Sequence, residues 1–268
     1  MVEALSINAN PSQTLSGGAA DGAVTTSTSG AGSQHSIQFD IDGNNVNGPL
    51  TPNDSIICFV RGTRIRTPDG DVPVETLSVG DMVLNVEGIA HPIRWIGSRR
   101  VSTDQLRSNP MLRPVRITAG ALGPQSPVAD LRVSRQHRLL VRSKIAERMF
   151  GTHEVLISAI KLTGLPGVFI EPSLEETEYF HILFDQHEIV IADGAAAESL
   201  LTGPLALATL SKEAQAEIQE LLPEVFHTGW VPSASRYVPS DTQQRKLIDR
   251  HTKNRKSVVE TGPGPSSW

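Results

Sequence analysis

Between Cys58 and Ala192 the chain never keeps one pattern for long. Short runs rich in β-branched residues are cut every few positions by Gly, Pro or Asp. Runs of this length bounded by turn residues fit strands and leave little room for helices. The spacing predicts strands over 63–67, 82–86, 92–96, 113–118, 130–134, 138–142, 154–157, 167–170, 178–184 and 188–191. Turns are expected at Pro68-Asp69-Gly70, Val86-Glu87-Gly88 and Gly123-Pro124. The reading is an all-β domain, with helix inside it confined to Ser143–Phe150.

An internal echo narrows the architecture. Thr63–Thr67 followed by Val72–Asp81 reappears in outline as His137–Val141 followed by Val155–Gly164. In each half a strand leads to an apolar triplet, a polar residue, two alternating apolar positions and a turn containing Gly. A single duplication is too few units for a solenoid, so it implies two related halves about a pseudo-two-fold axis. Cys58 stands just ahead of the first half and His137 at the matching start of the second, so the two can meet at the centre.

Outside that block the texture changes on both sides. Residues 1–54 are dominated by Gly, Ser, Thr, Asn and Ala. They carry too little apolar surface to offset ordering, at about 1–2 kcal/mol per residue, and read as a flexible leader. Within it, Ile37–Asn45 alternates like a strand ending in a turn, and its Asp40-Ile41-Asp42-Gly43 supplies too few ligands for a calcium loop. The β domain is taken as 55–200. Gly194–Leu201 and Ser211–Leu222 have helical spacing, the second with Ser211 as N-cap, Glu213 in its first turn, Pro223 beyond its end and one apolar stripe. A helical extension is therefore expected over 201–231, and a polar, disordered tail over 232–268.

Composition closes several function classes. A net charge of −5 gives no broad footprint for nucleic acid, and no apolar run approaches the roughly 20 residues that span a bilayer. With one cysteine there is no internal disulfide, and without a cysteine doublet a zinc site at His153, His181 and His187 is not supported. No cofactor or metal is expected. The start of the chain lacks a basic and then apolar signal segment, so the expectation is a cytoplasmic protein or one exported by a non-classical route. Cys58, between Ile57 and Phe59, reads by itself more readily as a small buried hydrophobe than as a nucleophile.

Cys58-Phe59-Val60-Arg61-Gly62-Thr63 followed by Pro73-Val74-Glu75-Thr76-Leu77-Ser78-Val79-Gly80-Asp81 resembles the Hint (hedgehog/intein) domains, most nearly a bacterial autoprocessing group. The likeness continues through Pro92–Gly97, Val133–Leu140 and Phe180–Glu188. It implies an N-to-S acyl shift, in which the Cys58 thiol adds to the carbonyl of Ile57 and turns the Ile57–Cys58 peptide bond into a thioester. A thiol is a strong nucleophile once a base activates it. The planar amide must be distorted or its oxyanion stabilised, and the departing nitrogen needs a proton.

His137 matches the histidine of the family's Thr-x-x-His motif, with Ser134 in place of Thr. Its plain alternative is a histidine at a strand end making a backbone bond. His181 and His187 fall where relatives carry acidic, Cys or His residues; each is open between assisting proton movement and holding structure. The His-Asn pair that ends splicing inteins is missing from His187–Gly194 and from the Ala195-Ala196-Ala197-Glu198-Ser199 that follows. The expectation is N-terminal cleavage without splicing, with the protein's own leader as substrate and water, a thiol or an amine as acceptor. Two alternatives stand beside it: a silent Hint scaffold used for binding or display, and a thiol hydrolase acting on other molecules.

Overall fold

The computed structural model describes residues 57–173, 175–208, 210–227 and 232–260. Contacts divide the chain into Met1–Gly48 and Pro49–Trp268, and every described residue belongs to the second unit. The expected leader and its strand at Ile37–Asn45 lie outside the described residues.

The described strands are β1 (Phe59–Val60), β2 (Arg64–Thr67), β3 (Gly70–Pro73), β4 (Met82–Leu84), β5 (Ala90–Pro92), β6 (Trp95–Val101) and β7 (Val115–Ile117). After them come β8 (Leu131–Val133), β9 (Arg138–Arg142), β10 (Glu154–Ser158), β11 (Val168–Ile170), β12 (Thr177–Leu183), β13 (Ile189–Ala192) and β14 (Ala195–Glu198). Two six-stranded sheets result, ordered β11-β7-β8-β1-β12-β6 and β10-β9-β14-β13-β2-β3, with β4 and β5 as a separate hairpin. A large apolar core joins them, including Phe59, Ile65, Val133, Leu139, Ile157 and Phe184.

The echo in the sequence is visible in the second sheet. Hairpin β2–β3 forms one edge, hairpin β9–β10 the other, and β13–β14 lies between them. A 3-10 turn over Val74–Thr76 follows β3, and a short helix, Ala159–Leu162, follows β10. In the first sheet the strands that lead into these halves pair antiparallel, with Phe59 opposite Val133. That pairing brings Cys58 beside Ser134.

The sequence motifs prove to be turn chemistry. Gly62 has φ +87°, a conformation that favours glycine. Its N–H donates to Glu75 Oε2 at 2.8 Å, and Val74 N–H donates to the Thr63 carbonyl at 2.8 Å. Asp81 Oδ2 accepts from Ser78 N–H at 2.8 Å. The first two bonds fix the turn that follows β1, and the third fixes the turn before β4.

The fold is mostly β with several helices, which corrects the all-β expectation. Besides the expected α2 (Lys144–Phe150), the domain holds α1 (Thr103–Ser108) and α3, the Ala159–Leu162 turn already described. Ser102 caps α1 with a full capping box. Gly194–Leu201 is not a helix. Ala195–Glu198 is strand β14, because the position between β13 and β9 offers ladder bonds on both sides and both faces are covered.

Beyond the sheets lie α4 (Pro204–Ala208) and α5 (Lys212–Leu221), followed by a 3-10 turn at Pro223–Phe226. Ser211 caps α5 as its sequence predicts, accepting from Ala214 N–H. The tail expected to be disordered instead forms α6 (Asp241–Asn254), with a capping box at Ser240. It buries Leu247 and Ile248 in the main core. Only two apolar residues are needed, because Gln244 and His251 fill the rest of the buried face through hydrogen bonds to Ser158 N–H and Ser143 Oγ. Such a face has polar composition and escapes a hydropathy reading.

Candidate functional site

The peptide bond between Ile57 and Cys58 is held at two of its atoms, its nitrogen and its carbonyl oxygen, and the Cys58 sulfur has a neighbour of its own. Cys58 N–H donates to Ser134 Oγ at 3.0 Å. The Ile57 carbonyl oxygen accepts from His181 Nδ1 at 2.8 Å. Cys58 Sγ lies 3.4 Å from His181 Nε2 and 3.6 Å from Nδ1. Ser134 follows β8, His181 is central in β12, and both strands flank β1, so sheet register places all three groups.

The tautomer of His181 follows from these contacts. A carbonyl oxygen only accepts, so Nδ1 carries the hydrogen and Nε2 is the unprotonated nitrogen, with the sulfur nearly equidistant from both. Burial lowers the His181 pKa to about 4, against the support of the Ile57 carbonyl. The ring is therefore neutral near pH 7 and serves as donor and acceptor together. Cys58 is fully buried. That burial pushes its thiol well above the usual range, and Ser134 and Arg99 pull it only partly back.

His137 is also fully buried, its ring centroid 4.4 Å from that of Phe59. Neither ring nitrogen has a hydrogen-bond partner among the described residues. Burial lowers its pKa to about 4, opposed by the charge of Glu198 and by the Cys58 backbone. The backbones of Cys58 and Glu198 are the polar groups near the ring. The Ala159 N–H bonds to the His137 carbonyl at 2.8 Å.

His187 stands apart from the thiol. Ser235 N–H donates to its Nδ1 at 3.0 Å, so Nε2 carries the hydrogen and donates to Glu198 Oε2 at 3.2 Å. Glu198 is fully buried. It also accepts from Arg138 N–H at 2.8 Å and from the Arg138 guanidinium at 3.0 Å. Burial works to raise its pKa, but Arg138 and His187 outweigh it and hold the carboxyl below its usual range. Sequence reasoning missed this residue. A lone carboxylate after three alanines at 195–197 was the available signal.

Two further features frame the site. A cavity of about 20 Å³ touches Cys58, Ser134, His181, Tyr179, Arg99 and Met111. The indole of Trp95 lies over Gly97, where a β-carbon would come within 2.3 Å of the ring, and near His181 at 6.4 Å between centroids. Among the described residues no group of three or more His, Cys, Asp or Glu can hold a metal ion, and no helix is long and apolar enough to cross a membrane.

The Hint domain family model matches residues 57–204, more than half of the chain, so this chain belongs to the Hint family. It is similar to the bacterial intein-like domain from Clostridium thermocellum, at 17% identity over 55% of this chain and 100% of that one, with a TM-score of 0.38. It is also similar to the gp41-1 intein, at 13% over 53% and 98%, TM-score 0.34. For the MchDnaB-1 intein the values are 13% over 53% and 99%, TM-score 0.31. No curated protein matches the chain.

Proposed function

We propose that this Hint protein is a single-turnover autoprotease that cleaves its own chain between Ile57 and Cys58. The observation that carries the reading is His181, whose Nδ1–H bonds the Ile57 carbonyl at 2.8 Å while its unprotonated Nε2 lies 3.4 Å from the Cys58 sulfur. As Sγ bonds to the Ile57 carbonyl carbon, the thiol proton passes to Nε2. The growing oxyanion is held by Nδ1–H. Handing the proton over as the S–C bond forms avoids a free thiolate, which the buried setting of Cys58 opposes.

The tetrahedral centre then loses the Cys58 nitrogen. The C–N bond breaks, and the nitrogen takes up the proton that left the thiol, so it departs as an amine and His181 returns to its neutral form. Ser134 Oγ is bonded to that nitrogen, and the unpartnered His137 lies by the Cys58 backbone. A neutral imidazole has one N–H and one lone pair, so His137 can pass a proton along without holding net charge. Hydrolysis of the thioester completes the cycle. Water bonds to the Ile57 carbonyl carbon, the C–S bond breaks, sulfur recovers a proton, and Ile57 ends as a carboxylate.

The acceptor in this reading is water or a nucleophile as small. A cavity of about 20 Å³ beside Cys58 suits one water, which needs roughly 10–15 Å³. Its size also speaks against a hydrolase acting on outside peptides. Splicing is not part of the proposal, since the terminal His-Asn is missing, and Glu198 is committed to Arg138 and His187. His187 is accordingly assigned a structural role.

A second reading, a silent Hint scaffold for binding or display, draws on the burial and raised pKa of Cys58. Incubating fresh protein with hydroxylamine separates the two. Autoprocessing predicts faster release of residues 1–57 as the hydroxamate, and a silent scaffold predicts intact chain and an unreactive thiol.

A further inference from the structure

We infer that the helical segment after the family domain, from α4 through the Pro223–Phe226 turn, forms the pocket for the Ile57 side chain and so selects the residue at the cleaved bond. This rests on the autoprocessing reading above and deepens it. The family match ends at residue 204, where α4 begins, so the segment supplies something the shared fold does not.

Ile57, two residues ahead of the interior strand β1, is only 7% exposed. It belongs to a buried apolar cluster separate from the main core. Trp95, Leu183 and Leu200 come to this cluster from the domain, and Leu207, Ile218 and Val225 from the helical segment. The sheet explains the first group. Leu183 lies two residues from His181 on β12, on the same face, and pairs directly with Trp95 on β6. The face that aims His181 at the Ile57 carbonyl thus also presents the wall against which the Ile57 side chain packs.

The helical segment is tied to that wall by a specific bond. Trp95 Nε1–H donates to Glu217 Oε2 of α5 at 2.7 Å, one residue before the fully buried Ile218. Gly97 leaves room for the indole to lie flat near His181. One tryptophan therefore links α5, the Ile57 pocket and the imidazole that bonds the scissile carbonyl.

This arrangement answers the crowding that a β-branched residue imposes on its own carbonyl. The branched side chain is gripped by the cluster while its oxygen remains bonded to His181. Fixing the acyl side this way holds the carbonyl carbon within reach of sulfur, and loss of alignment is costly in rate. Leu207, Ile218 and Val225 touch no reacting atom; they are specificity and positioning residues.

The test uses the full chain with Ile57→Val, Ile57→Leu, Ile57→Ala and Ile57→Phe, each alone and with Ile218→Ala. Autocleavage is followed by intact mass. Ile57→Val should cleave within about threefold of wild type, and Ile57→Ala and Ile57→Phe about 10- to 100-fold more slowly. With Ile218→Ala the ranking should shift, Ile57→Phe gaining at least about fivefold relative to Ile57 in the same background. A ranking that is flat, or unchanged by Ile218→Ala, overturns the inference.

A second measurement does not depend on cleavage. In Cys58→Ala chain, Ile57→Ala and Ile218→Ala should be coupled in urea unfolding, by at least about threefold in the unfolding equilibrium constant. Additive effects overturn the pocket even if the chain cleaves. Coupling in a protein whose wild type never cleaves leaves the pocket standing and rejects autoprocessing.

Discussion

His181 uses its two nitrogens on two different atoms, and that division of labour predicts how its variants should rank. Removing an oxyanion donor costs about 10²–10³ in rate. His181→Ala should lose at least that much in first-order cleavage, while His181→Asn, whose amide can reproduce the Nδ1 donor but not the base, should recover part of it. Equal rates for the two would separate the carbonyl bond from the chemistry. Ser134→Thr keeps the hydroxyl that holds the Cys58 nitrogen and should cleave within a few-fold of wild type, with Ser134→Ala about tenfold slower. The internal echo singled out Cys58 and His137, the family resemblance added Ser134 and His181, and the structure brings Cys58, Ser134 and His181 together at one peptide bond. The division of roles was not legible in the sequence. Which nitrogen faces which atom depends on the register of β1 with β12, and a buried partner such as Glu198 depends on contacts from far along the chain.

At the scale of elements, the strands were legible where turn residues bracket them, as at β2, β9 and β10. Short helices were missed where a cap, not periodicity, defines them, as at Ser102 and α1. The alanines of β14 favour helix locally, yet a central sheet position overrides that weak preference. The most instructive miss is α6. Leu247 is fully buried in the main core, so Leu247→Ala should destabilise the domain by about 2–5 kcal/mol, read as a lower urea midpoint. A change within about 0.5 kcal/mol, as for an exposed substitution, would mean that α6 is not part of the folded core.

For the whole molecule, buried neutral histidines couple folding to pH. His137 and His181 have pKa values of about 4 in the fold against 6.5 for a free side chain. As pH falls below 6.5 the unfolded chain takes up these protons first, so stability drops between pH 6.5 and 4, and these groups cost nothing further below 4. Each shift corresponds to about 3 kcal/mol. Asp193, raised to about 6 by burial, opposes them over part of that window, since the folded form then binds its proton first. In uncleavable Cys58→Ala protein the melting temperature should fall from pH 6.5 to 4, and more gently in His181→Asn; a flat profile would contradict neutral buried imidazoles. The central claim is that Cys58 cleaves the chain in front of it. Intact-mass analysis of freshly made wild-type and Cys58→Ala full chains in dithiothreitol tests it directly. The account predicts residues 1–57 and 58–268 as separate masses for wild type and an intact chain for Cys58→Ala, and two intact chains would contradict it.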